Sequence, residues 1–131
     1  MKDTIIGLFI GIAIAFLGVY LTGFSAAIAV PEQIGKILSG SSFIIWEVAV
    51  TQFLGYGVVT FLLLFFAVKF FKPNPWLIVL SALIACEAVL FIAYSSSYTI
   101  YIPHFLIVIG CAVLGAYLAV RQNSTSKAAA E

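Results

Sequence analysis

Residues 5–30 contain no charged side chain, and this run limits what the chain can fold into more than any other feature. Coiled as an α-helix it is about 39 Å long, which exceeds the roughly 30 Å hydrocarbon core of a bilayer. In water such a segment would have to be wrapped by protein on every side. A chain of 131 residues that is 64% hydrophobic and 8% charged has little polar surface with which to do that. Lipid is the solvent that suits it. There every backbone N–H and C=O must find a partner within the protein, so the apolar runs are expected to be helices.

Three further runs follow the first. Residues 31–41, "PEQIGKILSGS", bring a proline, two charges and two glycines, the marks of a short loop or an interfacial helix. The second run, 42–68, is interrupted by Glu47 and Gln52 and ends at "KFFKPNPW", where Lys69, Lys72, Pro73 and Pro75 break the helix. The third, 76–95, carries Glu87 alone and gives way to the polar turn 95–99. Pro103 suits the first turn of a fourth helix, 103–120, which Arg121 closes. Residues 122–131 are small and polar, too weakly apolar for a fifth span, and are expected to form a mobile cytoplasmic tail. The expected fold is therefore an all-α integral membrane four-helix bundle of antiparallel up-down hairpins, a single domain over residues 1–121.

Orientation follows from the cations. Lys2, Lys69, Lys72, Arg121 and Lys127 fall at one side of the spans and Lys36 alone at the other, which places both termini in the cytoplasm by the positive-inside rule. The predicted location is the cell membrane, the inner membrane if the source is bacterial. Tyr20, Trp46, Trp76, Tyr98 and Tyr101 lie mostly near span ends, where interfacial aromatics belong. Ala27 and Ala29 have the small-x-small form of a signal-peptidase site. The run before them is longer than the roughly 7–15 residues of a signal-peptide core, so a retained span is expected.

Some functions are set aside on composition. A net charge of +1 supplies no basic field for nucleic acid. Cys86 and Cys111 both sit in apolar runs without metal-ligand spacing. One histidine cannot furnish a conventional zinc site by itself. Nucleotide loops and the H-E-x-x-H and G-x-S-x-G motifs are absent from the sequence, so neither an enzyme nor a cofactor is expected.

Two patterns remain. Helices in lipid associate through close backbone approach and internal hydrogen bonds. Gly7, Gly11, Ala15, Gly18, Thr22 and Ala26 line one face of the first span, and Cys111, Gly115 and Ala119 make a shorter stripe on the fourth. These faces are expected to pack on neighbouring helices, on each other, or across a homodimer. The second pattern is polar. Glu47 lies about 7 Å and Glu87 about 12 Å inside their spans, and Gln52 and Glu87 reach similar depth if the second and third helices are antiparallel neighbours. Adding Tyr94, seven residues beyond Glu87, and His104 gives a predicted pocket of Glu47, Gln52, Glu87, Tyr94 and His104.

An acidic residue at mid-bilayer costs about 2.5–3.5 kcal/mol on insertion scales, against about 0.3–0.6 recovered per Leu, Ile, Phe or Val. Residues retained at such cost are candidates for handling protons, ions or substrates. The plainer alternatives are that Glu47 reaches interfacial water, that His104 is an ordinary interfacial histidine, and that Gln52 and Glu87 simply bridge two helices. In length and span count the chain resembles the small multidrug resistance exporters, four-helix proteins that work as dimers around a carboxylate in the first helix. The first span here has no such carboxylate, so no site is carried over. The expected function is binding or transport of a proton, small cation or amphiphile by an oligomer in membrane lipid. The alternative is an accessory or assembly subunit of a larger membrane partner.

Overall fold

The computed structural model of the chain describes residues 1–29, 37, 40–71, 74–93 and 102–131, without the side chains of 26–29, 43 and 102–103. The expected turn at 95–99 lies outside the described residues, as does most of the loop at 31–41. The elements are α1 (Lys2–Ala29), α2 (Ser41–Gln52), a π turn (Phe53–Gly57), α3 (Val58–Phe71), α4 (Pro75–Ala93) and α5 (Ile102–Ala130), with no strand among the described residues. The segments α2, π turn and α3 run on as one helix. Four helices are long and apolar enough to cross a membrane: Lys2–Ser25, Ile44–Phe71, Pro75–Ala93 and His104–Ala130. They mark a multi-pass membrane protein.

Local chemistry explains the helix ends. Gly40 precedes α2 with φ 61°, a left-handed conformation that glycine adopts without the Cβ penalty. Before α4, the Asn74 side-chain oxygen accepts from the backbone N–H groups of Trp76 (3.2 Å) and Leu77 (3.4 Å), while Pro75 starts the helix where its missing N–H is no loss. The Asn74 N–H donates to Asp3 Oδ2 at 3.2 Å, and Asn123 Nδ2 donates to the Val68 carbonyl at 3.3 Å. The starts of α1 and α4, the end of α3 and the far part of α5 therefore share one end of the molecule.

The tail departs from expectation: α5 continues as a helix to Ala130. Ser124 and Thr125 return their hydroxyls to the carbonyls of Val120 and Arg121, Asn123 is anchored on Val68, and the last residues include three alanines, the best helix formers. A helix of this length, about 43 Å, extends beyond a hydrocarbon core at one end.

Alanines and branched aliphatic side chains fill the interior, while many of the large aromatic ones face outward. One buried cluster joins Leu64, Val68, Ile78, Ala82, Ala112 and Ala116, and a second joins Ile14, Tyr56, Val59, Cys86, Leu90 and Val108. Phe9, Phe16 and Phe24 of α1 are exposed, as suits a surface solvated by acyl chains. The most extensive packing is α1 on α4, then α3 on α5, whereas α3 and α4 touch little although adjacent in sequence.

Glycines set these approaches. A Cβ on Gly7 would meet Ser81 Oγ, and one on Gly11 would meet the Ala82 carbonyl oxygen and, at 2.6 Å, Ala85. Gly115 lies against the Phe61 backbone, where a Cβ would be 2.7 Å from the carbonyl oxygen. The stripe of the first span thus lies on α4 at Gly7 and Gly11 and on the π turn at Gly18 and Thr22, whereas Gly115 of the fourth lies on α3.

Candidate functional site

The π turn begins directly after Gln52, and its mark is the Val58 N–H donating to the Phe53 carbonyl, one residue further back than in an α-helix. Close contacts surround it. Gly55 faces Thr22 of α1, and a Cβ on Gly57 would stand 3.0 Å from Ile107 and 3.2 Å from Cys111 of α5. Between these glycines Tyr56 is buried, its ring against Gly18 of α1. At the same level Ser25 Oγ donates to the Thr51 carbonyl at 3.3 Å, and Thr51 returns its own hydroxyl to the Glu47 carbonyl at 2.7 Å.

His104, in the first turn of α5 and 8% exposed, is the centre of the polar group. Its Nδ1 is 2.9 Å from Gln52 Oε1, and its Nε2 is 3.0 Å from Glu87 Oε1. The Tyr56 ring meets the imidazole edge to face, with centroids 4.7 Å apart. Three helices therefore each send one polar side chain to a common point.

The direct Gln52–Glu87 pairing suggested by their similar depth is replaced by an indirect one. Because α3 and α4 touch so little, the second and third spans are not the close neighbours that pairing requires, and His104 of the fourth fills the interval. Glu47 is not brought into the network among the described residues. It precedes Gln52 by five positions, which turns it about 140° around the helix. Tyr94 lies outside the described residues. Tyr56 was not singled out in the sequence, although an aromatic between two glycines inside a span was a signal that backbone and ring both approach neighbours closely there.

The geometry restricts where protons reside. An amide oxygen facing Nδ1 requires that Nδ1 carry its hydrogen and donate. Nε2 then either accepts from a protonated Glu87 or, in the imidazolium, donates to the carboxylate. Both states leave the pair with no net charge, and they differ by one proton moving between Nε2 and Oε1. The Glu87 side chain is 22% exposed. It forms the polar part of an otherwise apolar groove of about 360 Å³ between α4 and α5, lined by Leu83, Ile84, Phe105, Val108 and Ile109. Among the described residues no cluster of His, Cys, Asp and Glu is suited to a metal ion.

Fold and site together define a class: a polytopic, all-helical membrane protein with a Gln–His–Glu group joining three of its spans. No protein-family model, curated protein or solved structure matches the chain.

Proposed function

We propose that this protein binds and exchanges a proton at Glu87 and His104, and couples that exchange to binding or movement of a small cation or amphiphile across the membrane. The observation that carries the reading is His104 held between Gln52 Oε1 and Glu87 Oε1 at 2.9 and 3.0 Å. In this arrangement Gln52 sets the imidazole orientation and keeps the proton on Nδ1. Nε2 and the carboxylate then share the exchangeable one. A cation reaching Glu87 competes with the imidazolium for the carboxylate, so its arrival favours loss of the proton from His104. No catalytic residue and no cofactor belong to this reading. It places the protein in the cell membrane with both termini cytoplasmic, working as an oligomer, because four helices alone enclose little space for a pathway.

The test is proton release or uptake by the purified protein, reconstituted alone in liposomes, on addition of small and lipophilic cations. Ligand-linked proton movement that disappears in Glu87→Gln supports the reading. A folded wild-type protein that moves no protons under any of these additions overturns it.

A second reading draws on the same contacts. A group that ties three helices together is also a structural clasp, as an accessory or assembly subunit of a larger complex would use. In that case Glu87→Gln alters assembly and stability only, and the partner contact lies away from Gly11 and Gly18, which face α4 and Tyr56 within the chain.

A further inference from the structure

A second candidate site lies at the end of the molecule marked by Asp3, Asn74 and Asn123, between α3 and α5. There a groove of about 580 Å³ has an apolar floor of Phe61, Phe65, Phe66 and Leu118, and a polar mouth that includes Lys69, Arg121, Gln122 and Thr125. On that floor Phe61 and Phe65 stack at 5.9 Å with planes 11° apart. The Lys69 ammonium stands 5.6 Å from the centre of the Phe65 ring, at the boundary between floor and mouth.

Among the described residues two cations line this groove and no acidic residue does. The nearby Asp3 carboxylate accepts from the Asn74 N–H. The helical continuation of α5 past Val120 holds Arg121, Gln122 and Thr125 beside the end of α3, the level at which the apolar runs give way to charged residues, as they do at a headgroup boundary. An aromatic trough that ends in two cations matches the two halves of one molecule: an acyl chain and a phosphate. We propose that this groove binds an anionic phospholipid of that leaflet, with its phosphate between Lys69 and Arg121 and one chain along Phe61 and Phe65. Arg121 supplies the forked donor geometry suited to phosphate oxygens, and Lys69 supplies a mobile point charge.

The test is native mass spectrometry of the full chain in detergent, titrated with short-chain phosphatidylglycerol or phosphatidylcholine. Phosphatidylglycerol should bind the wild type more tightly. Each neutralised cation near a headgroup should weaken binding about fivefold, so Lys69→Gln with Arg121→Gln should lose about 25-fold. The pair Lys2→Gln with Lys127→Gln removes the same charge from outside the groove and should change affinity by no more than about twofold. Inorganic phosphate should not displace the lipid. Equal binding of phosphatidylcholine would overturn the site, and so would equal losses in the two double variants, which indicate only a diffuse charge effect. Displacement by inorganic phosphate would make it a site for free phosphate instead. Circular dichroism of each variant confirms that the helices are retained.

Discussion

Glu87 and His104 meet at 3.0 Å across the seam between α4 and α5, where the two helices otherwise touch sparsely. That contact joins the third span to the fourth, and the Gln52 bond on the other ring nitrogen carries the link to the second. A double-mutant cycle on Glu87→Gln and His104→Ala should give a coupling energy of about 0.6 kcal/mol and at most about 1.7, the average and the upper end for polar contacts between membrane helices. Unfolding by a denaturing detergent measures it, and a coupling near zero would show that the two side chains do not depend on each other.

The α1–α4 interface tolerates no side chain at Gly7 or Gly11, because a Cβ there meets Ser81 or the Ala82 carbonyl. Gly11→Ala should destabilise the protein by about 1–3 kcal/mol through forced separation of the helices. Gly110 has nothing within 4 Å of a Cβ position, so Gly110→Ala should be neutral or slightly stabilising through helix propensity, by at most about 1 kcal/mol. Thermal unfolding of the two variants in the same detergent distinguishes them, and equal effects would place the close approach elsewhere.

Gly18→Ala tests how the first span supports the site. Its methyl group would displace the Tyr56 ring, and that ring packs edge-on against His104. The expected result is a changed ring environment for His104 in NMR spectra of histidine-labelled protein, with the α1–α4 contact at Gly7 and Gly11 preserved. Unaltered His104 signals would indicate that Tyr56 moves away without consequence.

Thr60 is fully buried, and its hydroxyl has no hydrogen-bond partner among the described residues. An unpaired buried hydroxyl costs its desolvation energy, so Thr60→Val, which keeps the shape, should leave stability unchanged or raise it by about 1 kcal/mol. A clear loss of stability would reveal a partner for the hydroxyl.

Cys86 is fully buried, and Cys111 is partly exposed beside Gly57. In detergent a small apolar thiol reagent should modify Cys111 first and reach Cys86 only as the protein unfolds. Mass spectrometry of the partially modified protein reports the order, and equal rates would contradict the packing of the second cluster.

The four spans were legible because their causes are local. A long run without charge must pair its backbone within itself in lipid, and Pro75, Asn74 and the polar turns act on their immediate neighbours. The costly residues Gln52 and Glu87 also stood out, since each breaks an apolar run without help from context. Which of them meet was decided only in three dimensions. A span that is apolar on every face has no periodicity to show which side turns inward, so neither the exclusion of Glu47 nor the small contact between α3 and α4 could be read from the pattern. The π turn adds one residue at 53–57 and rotates everything after it by about 100° relative to a continuous α-helix. That rotation, together with the glycine contacts that hold Tyr56 beneath the imidazole, belongs to the packing of helices far apart in sequence. Because of that packing, His104, on sequence alone an unremarkable interfacial residue, became the hub of the site.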